Sequence, residues 1–193
     1  MQDNSFVMDT PFIAQKGNYK KLIAYQKAEC LYDITFFFAN EFLSKGDRTI
    51  DQMIQAARSG KQNIAEGAAA GTTSSETELK LINVAKASLQ ELKLDYEDYL
   101  RVRGFELWES GNPKFEQTRR FCAKCSDSAY YREAIKVRSG ETIANIAIIM
   151  INQTDYLLKH LFDRLKQDFL EHGGIKEEMM RGRLEYRKKH PQG

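Results

Sequence analysis

The sequence predicts an all-α fold: an antiparallel up-and-down four-helix bundle with an extra helical insertion before the last long helix. Three observations predict it. Apolar residues recur at spacings of three and four over long stretches, the signature of helices with one buried face. Only three prolines occur in 193 residues, and Pro11, Pro113 and Pro191 all fall where loops or termini are expected. No Val/Ile/Thr-rich alternating segment bounded by hairpin turns is present, which excludes a sizeable sheet.

The elements follow in order. Residues 1–17 show no periodicity and read as a flexible arm. The bundle is expected over 18–171, with the insertion at 104–138, and a basic tail over 172–193. The first helix is predicted from Asn18, a good N-cap, to Leu43, closed by Gly46. Ala24, Ala28, Leu31, Thr35, Phe38 and Phe42 form its stripe, and Ile23, Cys30, Ile34 and Phe37 widen it enough to meet more than one neighbour. The second helix is predicted from Asp47 to Glu66 with Gly67 as C-cap. Its inner face is Ile50, Ile54, Ala57 and Ile64, and the small Ala56, Ser59 and Gly60 permit close approach of a neighbouring backbone.

The third helix carries the clearest pattern. Ser75 and Glu78 are spaced as a capping box, in which each side chain satisfies the other's free backbone N–H. Ile82, Ala85, Leu89, Leu92, Tyr96 and Tyr99 then form a heptad seam ending near Arg103-Gly104. Gly111-Asn112-Pro113 marks a turn. A helix over 114–138, broken near Ser126-Asp127-Ser128, is expected next. The last long helix spans Glu141 to Leu170 with Ile143, Ala147, Met150, Thr154, Leu157 and Leu161 as its seam, and Gly173-Gly174 ends it. The tail beyond reads as a frayed helix or a disordered end.

Composition excludes several classes. The chain is 42% hydrophobic, ordinary for a globular protein, and 29% charged, somewhat above the usual quarter. Asp3 and Asp9 stand where a secretory signal carries positive charge, and the most apolar run, Ile143 to Ile151, is too short to span a bilayer. A cytoplasmic protein without membrane contact is expected. Cys30, Cys122 and Cys125 form no disulfide framework; Cys122-Ala123-Lys124-Cys125 has the C-x-x-C form but lacks a second ligand pair for zinc, and two thiols on a helix is the favoured reading.

No phosphate-loop, dinucleotide, serine-hydrolase or zinc-protease motif occurs, and His160, His172 and His190 lack metal-ligand spacing. The expectation is therefore no enzyme, no metal and no cofactor. Charge is unevenly spread. Residues 1–100 carry 11 Lys and Arg against 14 Asp and Glu, whereas residues 101–138 carry 9 against 5. Arg101, Arg103, Arg119, Arg120, Lys124, Arg132, Lys136 and Arg138, interleaved with Phe121, Tyr130 and Tyr131, are candidates for a phosphate-facing patch; the competing reading is a solvated face with its aromatics in the core. Asn63 and Glu66 on the second helix repeat the spacing of Ser88 and Glu91 on the third. Either the four meet in a register-fixing polar network, or the glutamates simply face solvent.

Tyr25-Gln26-Lys27-Ala28, Asn63-Ile64-Ala65-Glu66-Gly67 and Ala85-x-x-Ser88-Leu89-x-Glu91-Leu92, taken as an ordered set over about 19–100, resemble the four-helix-bundle family of ribosomal RNA intervening-sequence proteins. A longer, suffix-domain-like member is the nearest description, and the accessory protein of diversity-generating retroelements uses the same fold. The resemblance implies an up-and-down bundle assembling as a homopentamer, with RNA or a reverse transcriptase as possible partners. The chain departs from the family pattern at Lys86-Ala87, in the insertion at 104–138, in its basic tail and in its acidic first hundred residues. The expected function is a non-enzymatic oligomeric scaffold or interaction protein, the alternative being an RNA- or nucleoprotein-binding accessory factor.

Overall fold

An apolar stripe broad enough for two neighbours makes the first long segment a central helix. In the computed structural model, which describes residues 18–190, it is α1 (Ile23–Phe42). It starts later than predicted. Asn18 caps a separate 3-10 turn, Tyr19–Lys21, its Oδ1 accepting from the Lys20 N–H at 3.0 Å, and Leu22 is extended before the helix begins. The expected arm over 1–17 lies outside the described residues.

α2 (Thr49–Ala70) begins beside Asp47, whose Oδ1 accepts from the Thr49 N–H at 2.9 Å. It does not stop at Glu66. Gly67 is buried within the helix, where an added Cβ would lie 3.4 Å from Leu81 Cβ and 3.5 Å from the Glu78 carbonyl oxygen. That glycine serves close packing rather than termination. The core face is Met53, Ala56, Ala57, Gly60, Ile64 and Gly67; Ile50 and Ile54 are only half-buried at its edge.

α3 (Ser75–Arg103) is capped by Ser74, whose Oγ accepts from the Thr77 N–H at 3.2 Å. The predicted capping box is therefore one residue out of register. Glu78 sits nearly buried against Gly71, where an added Cβ would fall 2.1 Å from its Oε2. The predicted seam, Ile82, Ala85, Leu89, Leu92, Tyr96 and Tyr99, is buried throughout. Gly104, at φ +66°, ends the helix in the left-handed region that favours glycine.

The insertion forms α4 (Pro113–Lys124) and α5 (Ser128–Ala134). Pro113 at the first helical position and the Asn112 side chain, accepting from the Lys114 N–H at 2.9 Å, start α4. Asp127 caps α5 in the same way. α6 (Gly140–His172) follows, then α7 (Ile175–Lys189), which is helical where a frayed or disordered tail was also open and which buries none of its residues.

α1, α2, α3 and α6 pack in a closed circuit: α1 on α2, α2 on α3, α3 on α6 and α6 on α1. α5 lies against α1, and α4 against α6. Among the described residues there is no strand, and no helix is long and apolar enough to cross a membrane. Inside the circuit, Phe38 lies with its ring centroid 4.9 Å from that of Tyr96 and 4.7 Å from that of Tyr99. The buried Tyr96 hydroxyl donates to Thr35 Oγ1 at 3.0 Å, so α1 and α3 share an apolar contact and a satisfied polar one.

The α2–α3 seam is closely packed. A Cβ on Gly60 would come 2.8 Å from Leu89 Cδ2 and 3.0 Å from Leu89 Cγ, and Leu89 is fully buried. Gly60→Ala is accordingly expected to destabilise the fold by about 1–2 kcal/mol: overpacking outweighs the helix-propensity gain of about 1 kcal/mol. Urea unfolding of the variant checks this. A gain in stability would show a looser seam.

Candidate functional site

α6 has no face suited to water over its first half. Every residue from Ile143 to Ile151 is buried. α1 and α3 pack on α6, as do α4 and the segment before it that carries Glu106 and Trp108. That cover is held by polar clasps from beneath. Asn145, 1% exposed in the middle of the run, accepts from the Trp108 backbone N–H at 2.7 Å and donates to the Glu106 and Glu141 carbonyls, each at 2.9 Å. It thereby fixes the extended segment leading into α4. Gln153 Nε2 donates to the Arg119 carbonyl at 2.8 Å.

α1 supplies two more clasps. Lys27, 2% exposed, donates from Nζ to the Cys122 carbonyl near the end of α4. Asp33 accepts from Ser128 Oγ and from Arg132 Nη1, the latter at 3.1 Å, tying down the start of α5. Burial pushes the Lys27 ammonium below the usual lysine range; the nearby Cys122, Cys30 and Cys125 act in the opposite direction. Burial likewise pushes the Cys30 thiol up to about 12 and raises Cys122, so both stay protonated and unreactive in the fold. The two cysteines of the C-x-x-C pair are not both on the helix: Cys122 is buried within α4, and half-buried Cys125 lies just past its end. Among the described residues, no group of three or more His, Cys, Asp or Glu is placed to hold a metal.

On the outer side of these clasps α4, α5 and the start of α6 enclose a cleft of about 460 Å³. Tyr131 is buried in its wall; Phe121 and Tyr130 are 41% and 43% exposed. Ring centroids of Phe121 and Tyr130 are 5.1 Å apart, and those of Tyr130 and Tyr131 5.6 Å. Burial also raises Tyr131, with Cys122 adding to the effect. Trp108 completes the wall, with Lys114 Nζ 5.4 Å from the centroid of its ring.

The basic candidates are spread over several surfaces, and Arg120 is exposed on α4. Arg101, Arg119, Arg132 and Lys136 pair with Asp98, Glu116, Asp33 and Glu133. Arg103 stacks on the Tyr99 ring and shares a surface with Asp47, at the α2–α3 end of the molecule. Arg132 and Lys136 face a groove against α1 that also holds Asp33 and Glu41. Lys124 lies beside Ser126 and Asp127. Arg138 enters the aromatic cleft, with its Nε donating to the Ala134 carbonyl at 3.2 Å.

The polar network is half realised. Ser88 Oγ meets Ser59 Oγ at 2.9 Å across α2 and α3, and Asn63 Nδ2 donates to Ser59 O at 2.9 Å and to Ser59 Oγ at 3.1 Å. Glu66 and Glu91 are exposed. Ser59 is the hub that spacing alone missed, although it lies one turn before Asn63 on the small-residue face. Lys27, Asn145 and Trp108 were missed as well. The signal for Asn145 was present: a lone amide inside an otherwise apolar run.

No protein-family model, curated protein or solved structure matches the chain.

Asn145→Ala should cost about 2–4 kcal/mol, because it leaves the buried Trp108 N–H and Glu106 carbonyl without partners. Thermal or urea unfolding measures this, and the emission of the sole tryptophan should shift in the folded variant. An unchanged midpoint would mean that water replaces the amide.

Proposed function

We propose that the chain is a non-enzymatic helical scaffold that assembles with copies of itself. In this reading α1, α2, α3 and α6 are an antiparallel up-and-down four-helix bundle, and α4 and α5 are a layer added to one side. The circuit of contacts among those four helices supports it, as do the short links at 43–48 and 71–74, which favour antiparallel neighbours. The intervening-sequence-like segments fall on α1, α2 and α3.

The observation that carries the assembly reading is the far end of the molecule. The last turns of α6 and the whole of α7 keep large apolar side chains on the surface. Leu170 is 68% exposed, Met180 64% and Leu184 48%, with Met180 and Leu184 one helical turn apart. α7 buries none of its residues, so a helix of this length gains its stability by packing its apolar face on a partner surface. The alternative of an RNA-binding factor has less support, since four of the eight candidate cations are paired with carboxylates, and Arg103, Lys124 and Arg138 line three separate surfaces.

Light scattering on the eluting 193-residue chain at micromolar concentration tests the proposal. The expected mass is a multiple of 22.3 kDa, and five-fold if the family resemblance extends to assembly. Leu170→Asp with Leu184→Asp should return the monomer, with any loss of helix confined to α7. A wild-type mass of 22.3 kDa across the micromolar range would overturn it.

A further inference from the structure

We propose that the cleft between α4, α5 and the start of α6 is a binding site for a small aromatic anion, a flat ring bearing a carboxylate or phosphate. This goes beyond self-assembly and does not depend on it.

The argument rests on what lines the cleft. Its volume of about 460 Å³ lies within the range of small-molecule sites. Phe121, Tyr130, Tyr131 and Trp108 supply the apolar wall, and Lys114 and Arg138 supply the charge. No carboxylate lines it. The groove between α2 and α3 is lined by Asp51, Glu91 and Asp95, so an incoming anion meets like charge there, and the groove between α1 and α5 sets Arg132 and Lys136 against Asp33 and Glu41, with Arg132 already paired to Asp33. The charged side chains lining the aromatic cleft are both cationic. Lys114 and Arg138 also make no ion pair among the described residues, so their charge is not already neutralised.

Each part of the ligand has a matching surface. The half-exposed faces of Phe121 and Tyr130 are open to stacking by a flat ring. Arg138 spends only Nε on the Ala134 carbonyl, leaving its two terminal nitrogens for a carboxylate or phosphate. The Trp108 Nε1 donor is sealed from water and without an acceptor, so the indole contributes its ring rather than its N–H. The clasps of Asn145 and Lys27 hold the Trp108 and α4 wall to the core, and Asp33 holds the α5 wall through Ser128 and Arg132, which makes the cleft preformed.

Trp108 is the only tryptophan, so its emission reports this cleft directly. The 193-residue chain is titrated by calorimetry with benzoate and phenylacetate, with the 5′-monophosphates of adenosine and uridine, and with acetate and inorganic phosphate; emission is followed with benzoate. The expected result is saturable binding by at least one aromatic anion, with the first two panels separating an aromatic acid from a nucleotide. Lys114→Gln with Arg138→Gln should weaken it about tenfold or more, and Lys86→Gln, which lies on α3, should leave it unchanged. Both cleft residues are exposed, so the double variant should keep its unfolding midpoint. No saturable binding by any aromatic anion at millimolar concentration would overturn the proposal. Equal binding of acetate or phosphate, or affinity unchanged in the double variant, would overturn it as well.

Discussion

The rest of the structure follows from one constraint: nine consecutive residues of α6, Ile143 to Ile151, are buried on every side. A helix with one apolar stripe can lie on the surface of a bundle. A helix that is apolar all round needs neighbours all round. α1 and α3 cover two sides and the inserted α4 covers a third. Burying one such isoleucine contributes on the order of 2 kcal/mol, so leaving the outer face of this run in water would be costly for a marginally stable chain. The insertion is therefore part of the core.

A layer placed there brings its own polar backbone against an apolar surface, and those groups need partners. Asn145 and Gln153 provide them from α6, and Lys27 and Asp33 from α1. Lys27 and Asn145 are unusual residues for their positions. A lysine 2% exposed with its ammonium on a backbone carbonyl, and an asparagine 1% exposed within an isoleucine-rich run, are understandable only once α4 is in place. The same clasps hold rigid the aromatic wall of the cleft. Core packing and the candidate site thus share one set of contacts.

Much of this was legible in the chain itself. The seam from Ile82 to Tyr99 was readable because a heptad pattern leaves few alternative faces. Helix ends were less so. Gly67 reads as a terminator by type, but a glycine facing another helix does a different job, and only the position of Leu81 distinguishes the two. Ser74 and Ser75 are chemically equivalent caps, so spacing could not choose between them. The basic residues of the insertion looked like one patch because they are close in sequence. Short helices separated by turns send such neighbours to different surfaces, with half of them beside carboxylates. The cleft was invisible for a related reason: Trp108, Lys114, Tyr130 and Arg138 come together only through the fold of the insertion.

Hydrogen–deuterium exchange tests the central claim most directly. If the cover of α6 is integral to the core, amides of 115–124 exchange only with those of 143–151, in the slow cooperative unit that opens on global unfolding. Rapid exchange across 115–124 while 143–151 stays protected would contradict the account, since α6 would then be stable without its outer layer.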